Sequence, residues 1–144
     1  LREVIPSQLW IGGAGDIAAP TSLYEAGITA VLHLDASTLP ASLSREMVYC
    51  RVPLIDGAEN SPERLKFVIE TGVSLATHQV PTLIACSAGM SRSPSIAAAV
   101  LSVVEQRSAE EVLQEILGHS PADVSPGLWE AVKRVVQTIQ AKSE

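Results

Sequence analysis

Aromatic residues are nearly missing from this chain. Phe, Trp and Tyr make up 3% of its 144 residues, so Ala, Val, Leu and Ile must pack the interior. Basic charge is scarce as well: ten Lys and Arg stand against sixteen Asp and Glu, a net charge of −6, with no basic cluster. Neither nucleic acid nor an anionic membrane surface is therefore expected as a partner. A phosphorylated substrate stays open, because a local anion site needs only one Arg and a few oriented amides. No apolar run reaches the length of about 18 residues that a membrane span requires. The N-terminus has no basic segment followed by an apolar one, so no signal peptide is expected. Only Cys50 and Cys86 are present, enough for one disulfide at most. A thiol that must stay reduced points to a cytoplasmic setting. His33, His78 and His119 have no Cys or His at ligand spacing, so neither metal nor cofactor is expected.

What remains is a chain that folds. It is 47% hydrophobic, with no repeat, low-complexity tract or linker, which suits one domain, residues 1–144, around a single core. Val4–Ile11 and Ala30–Leu34 read as short strands. A helix opens near Pro20-Thr21-Ser22 and is closed by Gly27. Val48–Ile55 is a β-rich run bounded by the turn pair Asp56-Gly57. Ser61-Pro62-Glu63 offers a cap, Pro at the first helical position and then an acid, starting a helix that runs to about Thr77. Val80–Ala85 reads as a buried strand and Ser93–Val104 as a buried helix. Ser108 and Glu111 form a capping-box pattern for a helix to about Leu117, ended by Gly118. A last helix spans about Leu128 to Gln140. Strands alternating with helices predict an α/β fold: a short central, mostly parallel sheet flanked by helices.

The chemistry concentrates at one corner. Cys86-Ser87-Ala88-Gly89-Met90-Ser91-Arg92-Ser93 links the buried strand to the buried helix. Helix N-termini carry unpaired N–H groups and the positive end of the dipole, so this corner favours an anion. A thiol and a guanidinium enclosing five residues can grip one phosphate between them, over the backbone N–H groups of Ser87, Ala88, Gly89, Met90, Ser91 and Arg92. Random residues give Arg, Gly and Ser at the required offsets from either Cys in roughly 5 of 10,000 chains. Helix dipole and Arg both favour the Cys86 thiolate, a nucleophile for phosphorus. The Arg92 fork suits two phosphoryl oxygens at once. Gly89 suits a backbone angle other residues resist. A leaving group needs a proton, and Asp56 lies on a turn 30 positions before Cys86; Glu59 is the fallback.

This octapeptide resembles the signature loop of the cysteine-dependent protein tyrosine phosphatases. The dual-specificity branch matches best, with its His-Cys, five residues with Gly third, then Arg-Ser. Gln8-Leu9-Trp10-Ile11-Gly12, Ala26–Leu34 and Val52-Pro53-Leu54-Ile55-Asp56 resemble further segments of that branch, so the likeness runs from about residue 4 to about residue 138. It implies a phosphotyrosine-phosphatase-like fold with the loop at the carboxyl end of a central strand. It also implies hydrolysis of phosphotyrosine, with phosphoserine or phosphothreonine as further substrates, through a cysteinyl-phosphate. Cys86 is then the nucleophile, Arg92 the phosphate clamp and Asp56 the acid, while the Ser93 hydroxyl assists the departing thiolate or caps the helix. The partner is a phosphorylated protein or small phosphomonoester, and the chain is expected to be a monomer.

Two departures stand out. Ala85 occupies the position before the nucleophile where the branch has His, which motivates the alternative of a non-catalytic phosphate-binding module. Ser125-Pro126-Gly127 replaces a common Pro-Asn, which is expected to loosen support behind the loop. Gly13-Ala14-Gly15-Asp16-Ile17-Ala18, with Asp35 beyond it, imitates a dinucleotide fingerprint, but Pro20 interrupts the helix that fingerprint requires. Low-molecular-weight tyrosine phosphatases and arsenate reductases share the Cys-to-Arg spacing. In them the loop comes early and the acid follows it, the reverse of the order here. His33 reads as a satisfied core or pocket-edge residue and Cys50 as a buried strand residue. The loop interior has no Lys, which disfavours highly charged inositol lipids.

Overall fold

A computed structural model describes residues 1–36, 42–118 and 123–142; His119 lies outside the described residues. Among the described residues five strands form one sheet: β1 (Arg2–Ile5), β2 (Leu9–Gly13), β3 (Ala30–Asp35), β4 (Val48–Leu54) and β5 (Thr82–Cys86). Their order is β1-β2-β5-β3-β4. Only the β1–β2 pair is antiparallel; β2–β5, β5–β3 and β3–β4 are parallel. The expected α/β fold with a short, mostly parallel central sheet is the observed one. Every residue of β3 and β5 is buried, as parallel strands covered on both faces require.

Side chains alternate across this sheet. Leu9, Ile11, Leu32, Leu34, Ile84 and Cys86 face a large core built with four helices: α3 (Pro62–Thr77), α4 (Arg92–Glu105), α5 (Ala109–Leu117) and α6 (Pro126–Lys142). Trp10, Val31, Leu83 and Ala85 face a smaller core that also contains Ile17, Leu23 and Ile28. Ile17 and Leu23 belong to the short helices α1 (Ala14–Ala18) and α2 (Thr21–Glu25). Helix α4 is buried at every position from Ser93 to Ser102, so it packs on all sides. Its start is thereby fixed directly after the central strand β5. No helix among the described residues is long and apolar enough to cross a membrane.

Most boundaries agree with the sequence reading, and the exceptions have local causes. Val4–Ile11 is not one strand. Pro6 has no N–H for a ladder, Ser7 takes φ 60°, and its amide donates to Glu3 Oε2 at 3.0 Å; the run folds into the β1–β2 hairpin. The fingerprint-like segment becomes α1, with the Gly13 amide donating to Asp16 Oδ2 at 2.9 Å. Ser61 caps α3 as expected, accepting from the Arg64 amide at 3.1 Å. The Ser108–Glu111 box is half formed: Ser108 Oγ accepts from the Glu111 amide, while the Glu111 carboxylate pairs with Arg107 at 3.1 Å. Helix α6 starts two residues early, because Pro126 fits the first helical position and Ser125 Oγ accepts from the Leu128 amide. Cys50 is half-buried rather than buried, since β4 is an outer strand; burial still raises its thiol pKa.

Candidate active site

Cys86 ends β5 at the centre of the sheet, and Arg92 opens α4 six residues later. The backbone between them turns back over the sulfur. The Gly89 amide donates to Cys86 Sγ at 3.2 Å. Gly89 has φ 70°, the left-handed region that glycine enters without penalty. A Cβ there would stand 2.9 Å from the Gly12 carbonyl carbon and oxygen, so space and torsion both demand glycine. Cys86 is 2% exposed and forms the floor of the loop, whereas Ser87, Ala88 and Met90 are exposed on its rim.

The β2–α1 corner braces this loop from one side. Gly13 pairs with Cys86 in the sheet, and the Ala14 amide donates to the Ser87 carbonyl at 3.1 Å. Ser93 Oγ, fully buried, donates to the Gly12 carbonyl at 3.3 Å. Ser93 lies inside α4 rather than at its cap; Ser91 occupies the cap position. The helix-cap reading of Ser93 is therefore corrected, and its hydroxyl ties the helix to the end of β2.

Arg92 turns inward over the loop. Its Nη1 donates to the Leu54 carbonyl at 3.0 Å and its Nη2 to Ser87 Oγ at 2.9 Å. Fully buried Asp35 brings Oδ1 to 3.8 Å from Nη1. Asp35 ends β3, the strand beside β5, and Arg51 Nε and Nη2 donate to its carbonyl at 3.2 and 3.1 Å. The sequence reading weighed Asp35 only within the imitation fingerprint. A carboxylate closing an apolar strand was the available hint, but its nearness to Arg92 depends on strand order.

Asp56 follows β4 on an exposed turn. The fold nevertheless brings it to the Cys86 loop, where Ser91 Oγ donates to Asp56 Oδ1 at 2.6 Å. Asn60 staples the turn: its Oδ1 accepts from the Ile55 amide at 2.8 Å, and its Nδ2 donates to the Ile55 and Gly57 carbonyls at 2.8 and 3.1 Å. Neither the Asn60 staple nor the Ser91 hydroxyl was anticipated. Glu59 is exposed on the same turn. The Ser125-Pro126-Gly127 departure does not leave the loop unsupported, because the Ser125 amide donates to Ser91 Oγ at 2.9 Å.

Ala85 is fully buried in the smaller core. Its register partner on β3 is His33, 2% exposed, with Nδ1 2.7 Å from the Tyr49 hydroxyl. Burial first, then the neighbouring Arg51 charge, push the His33 pKa down, against a smaller opposing effect of Asp35. His33 is thus a satisfied core residue, one strand across from the position where the phosphatase branch carries its loop His.

No protein-family model matches the chain. It is 32% identical over 149 aligned positions to dual specificity protein phosphatase 12 of rat (Rattus norvegicus), covering 96% of this chain and 44% of that protein. The chain therefore spans less than half the length of this relative. Human DUSP28 superposes with a TM-score of 0.84 at 24% identity, over 99% of each chain. A mouse putative dual specificity phosphatase, crystallised in complex with zinc tungstate, superposes with a TM-score of 0.84 at 24% identity, over 98% of this chain and 89% of its own.

Proposed function

We propose that this chain, a member of the dual-specificity branch of the cysteine-dependent protein tyrosine phosphatase superfamily, hydrolyses phosphomonoesters through a cysteinyl-phosphate, with residues 1–144 as one catalytic domain. Phosphotyrosine is the first substrate, and phosphoserine or phosphothreonine follow. The single observation that carries this reading is the corner at Cys86, where an amide points at the sulfur, a guanidinium arches over the loop and a carboxylate is drawn to its edge.

In the first step the Cys86 thiolate attacks phosphorus in line with the leaving oxygen. An S–P bond forms, the P–O ester bond breaks, and Asp56 gives its proton to the departing alkoxide or phenoxide. The loop amides and the Arg92 fork hold the three remaining oxygens, on which charge is spread. A substrate oxygen replaces Ser87 Oγ as acceptor of the Arg92 Nη2 hydrogen bond, with the guanidinium still protonated, while the Nη1 bond to Leu54 keeps the fork aimed. In the second step water attacks phosphorus and gives a proton to the Asp56 carboxylate. The P–S bond breaks, the thiolate leaves with its electron pair, and inorganic phosphate departs. Ser93 assists that departure by exchanging its bond to the Gly12 carbonyl for one to sulfur.

Several features support a phosphoprotein or small phosphomonoester as substrate. The loop interior, Ser87 to Ser91, carries no cation of its own, so the site matches a single phosphate better than a polyphosphorylated headgroup. The mouse structural neighbour forms a complex with zinc tungstate, a salt of a tetrahedral oxyanion.

Asp56→Ala tests the assignment. Its kcat/KM is expected to fall by about 10²–10³-fold on alkyl phosphates, whose leaving groups need a proton. On para-nitrophenyl phosphate, whose leaving group departs as the anion, the fall is expected to be far smaller. Equal losses on both esters would take the acid role away from Asp56.

A further inference from the structure

A carboxylate on an exposed turn ordinarily samples several rotamers, yet Asp56 is gripped. The grip has a fixed direction. The Ser125 N–H has only a proton to offer, so it donates to Ser91 Oγ at 2.9 Å. That bond occupies a lone pair of the hydroxyl and turns its O–H onto Asp56 Oδ1, at 2.6 Å. Both ends of this relay are anchored. Ser91 is buried, and its carbonyl accepts from the Ser95 hydroxyl at 2.8 Å and the Ser95 amide at 3.1 Å. Ser125 precedes α6, and its carbonyl accepts from the Trp129 amide at 3.0 Å. The Asp56 turn also leans on α6 directly: a Cβ on Gly127 would stand 3.2 Å from Ala58 Cβ and N, so the absence of a side chain there lets the turn dock.

We propose that the relay from the Ser125 amide through the Ser91 hydroxyl is a positioning device for Asp56 and assigns work to its two oxygens. Oδ1 is the standing acceptor of the Ser91 proton. Oδ2 carries the transferable proton and presents it to the leaving oxygen. Ser91 is thus a positioning residue that acts through Asp56, in addition to lending its amide to the loop. A main-chain donor at position 125 suffices for this, so the sequence Ser125-Pro126-Gly127 supplies it without a side-chain amide. The inference rests on the reading of Asp56 as general acid.

Four variants test it with an alkyl phosphate and para-nitrophenyl phosphate: Ser91→Ala, Ser91→Thr, Asp56→Ala and the Ser91→Ala/Asp56→Ala pair. The Ser91 bond strengthens as proton transfer leaves negative charge on Asp56, which supports an expected loss for Ser91→Ala about tenfold larger on the alkyl ester than on the nitrophenyl ester. Ser91→Thr keeps the hydroxyl and should recover most of that difference. On the Asp56→Ala background, Ser91→Ala should add no further selectivity, because its partner is gone. Thermal melts show which variants are folded, and Ser91→Cys, close to serine in size but a weak donor, replaces the alanine variant in the same comparison should the alanine chain be unstable. Equal losses on both esters for Ser91→Ala, with Asp56→Ala still selective, overturn the relay alone. A selective effect of Ser91→Ala that persists without Asp56 also overturns it. An unselective Asp56→Ala overturns the acid assignment and the relay with it.

Discussion

Cys86→Ser is expected to remove roughly four orders of magnitude or more of phosphatase activity while leaving the oxyanion site able to bind phosphate or vanadate. A serine hydroxyl is not ionised near neutral pH, and its oxygen is a poor nucleophile toward phosphorus without an adjacent base. No such base touches Cys86 among the described hydrogen bonds, where its sulfur meets the Gly89 amide. The binding elements lie elsewhere: the Arg92 fork is held by the Leu54 carbonyl, and Gly89 keeps the loop curled through its φ of 70°. Serine is close to cysteine in size, so the 2%-exposed floor position tolerates it. Steady-state turnover of para-nitrophenyl phosphate and calorimetric titration with phosphate or vanadate read the two halves separately. Near wild-type turnover would reject Cys86 as the nucleophile. Loss of binding together with turnover would reduce Cys86 to a structural support of the loop.

Arg92→Lys is expected to cost about 10²–10³-fold in kcat/KM although the charge is kept, a loss on the scale of removing one oriented donor from a transition-state site. The geometry explains why charge alone does not suffice. Arg92 sends Nη1 to the Leu54 carbonyl and Nη2 to Ser87 Oγ, so one arm of the fork anchors the group while the other meets the loop. A lysine ammonium is a point charge without that division of labour. Buried Asp35, 3.8 Å from Nη1, would draw a lysine toward itself and away from the phosphoryl oxygens. Binding of phosphate should weaken less than turnover slows, because charge becomes more dispersed in the transition state. Wild-type kinetics in this variant would leave Arg92 as a helix-start ion pair and nothing more.

The parts of the site visible in sequence were those set by short-range spacing. Cys86 and Arg92 lie on one strand–loop–helix corner, so their partnership was readable within seven residues. Gly89 was readable because few other residues suit a tight loop there. Asp56 was readable as a polar stop after an apolar strand. The hidden parts depend on chain crossings. Asp35 meets Arg92 because β3 lies beside β5, and Ser91 meets Ser125 because α6 returns its start to the loop. Nothing local distinguishes Ser91 from Ser87 or Ser93 in a loop rich in serine. Pro6 announced the break in the first strand, but the apolar residues on either side masked it. Of the fold, the alternation of buried strands with capped helices made the parallel sheet legible. The strand order placing β5 at its centre is a tertiary outcome that periodicity does not encode.

Rapid acid quench during turnover of a radiolabelled phosphomonoester, followed by peptide mapping, tests the central claim most directly. The label should reside on the peptide containing Cys86, as a thiol-linked phosphoryl group that fails to form in the serine variant. Turnover with no label on that peptide, or label on any other residue, would contradict the account.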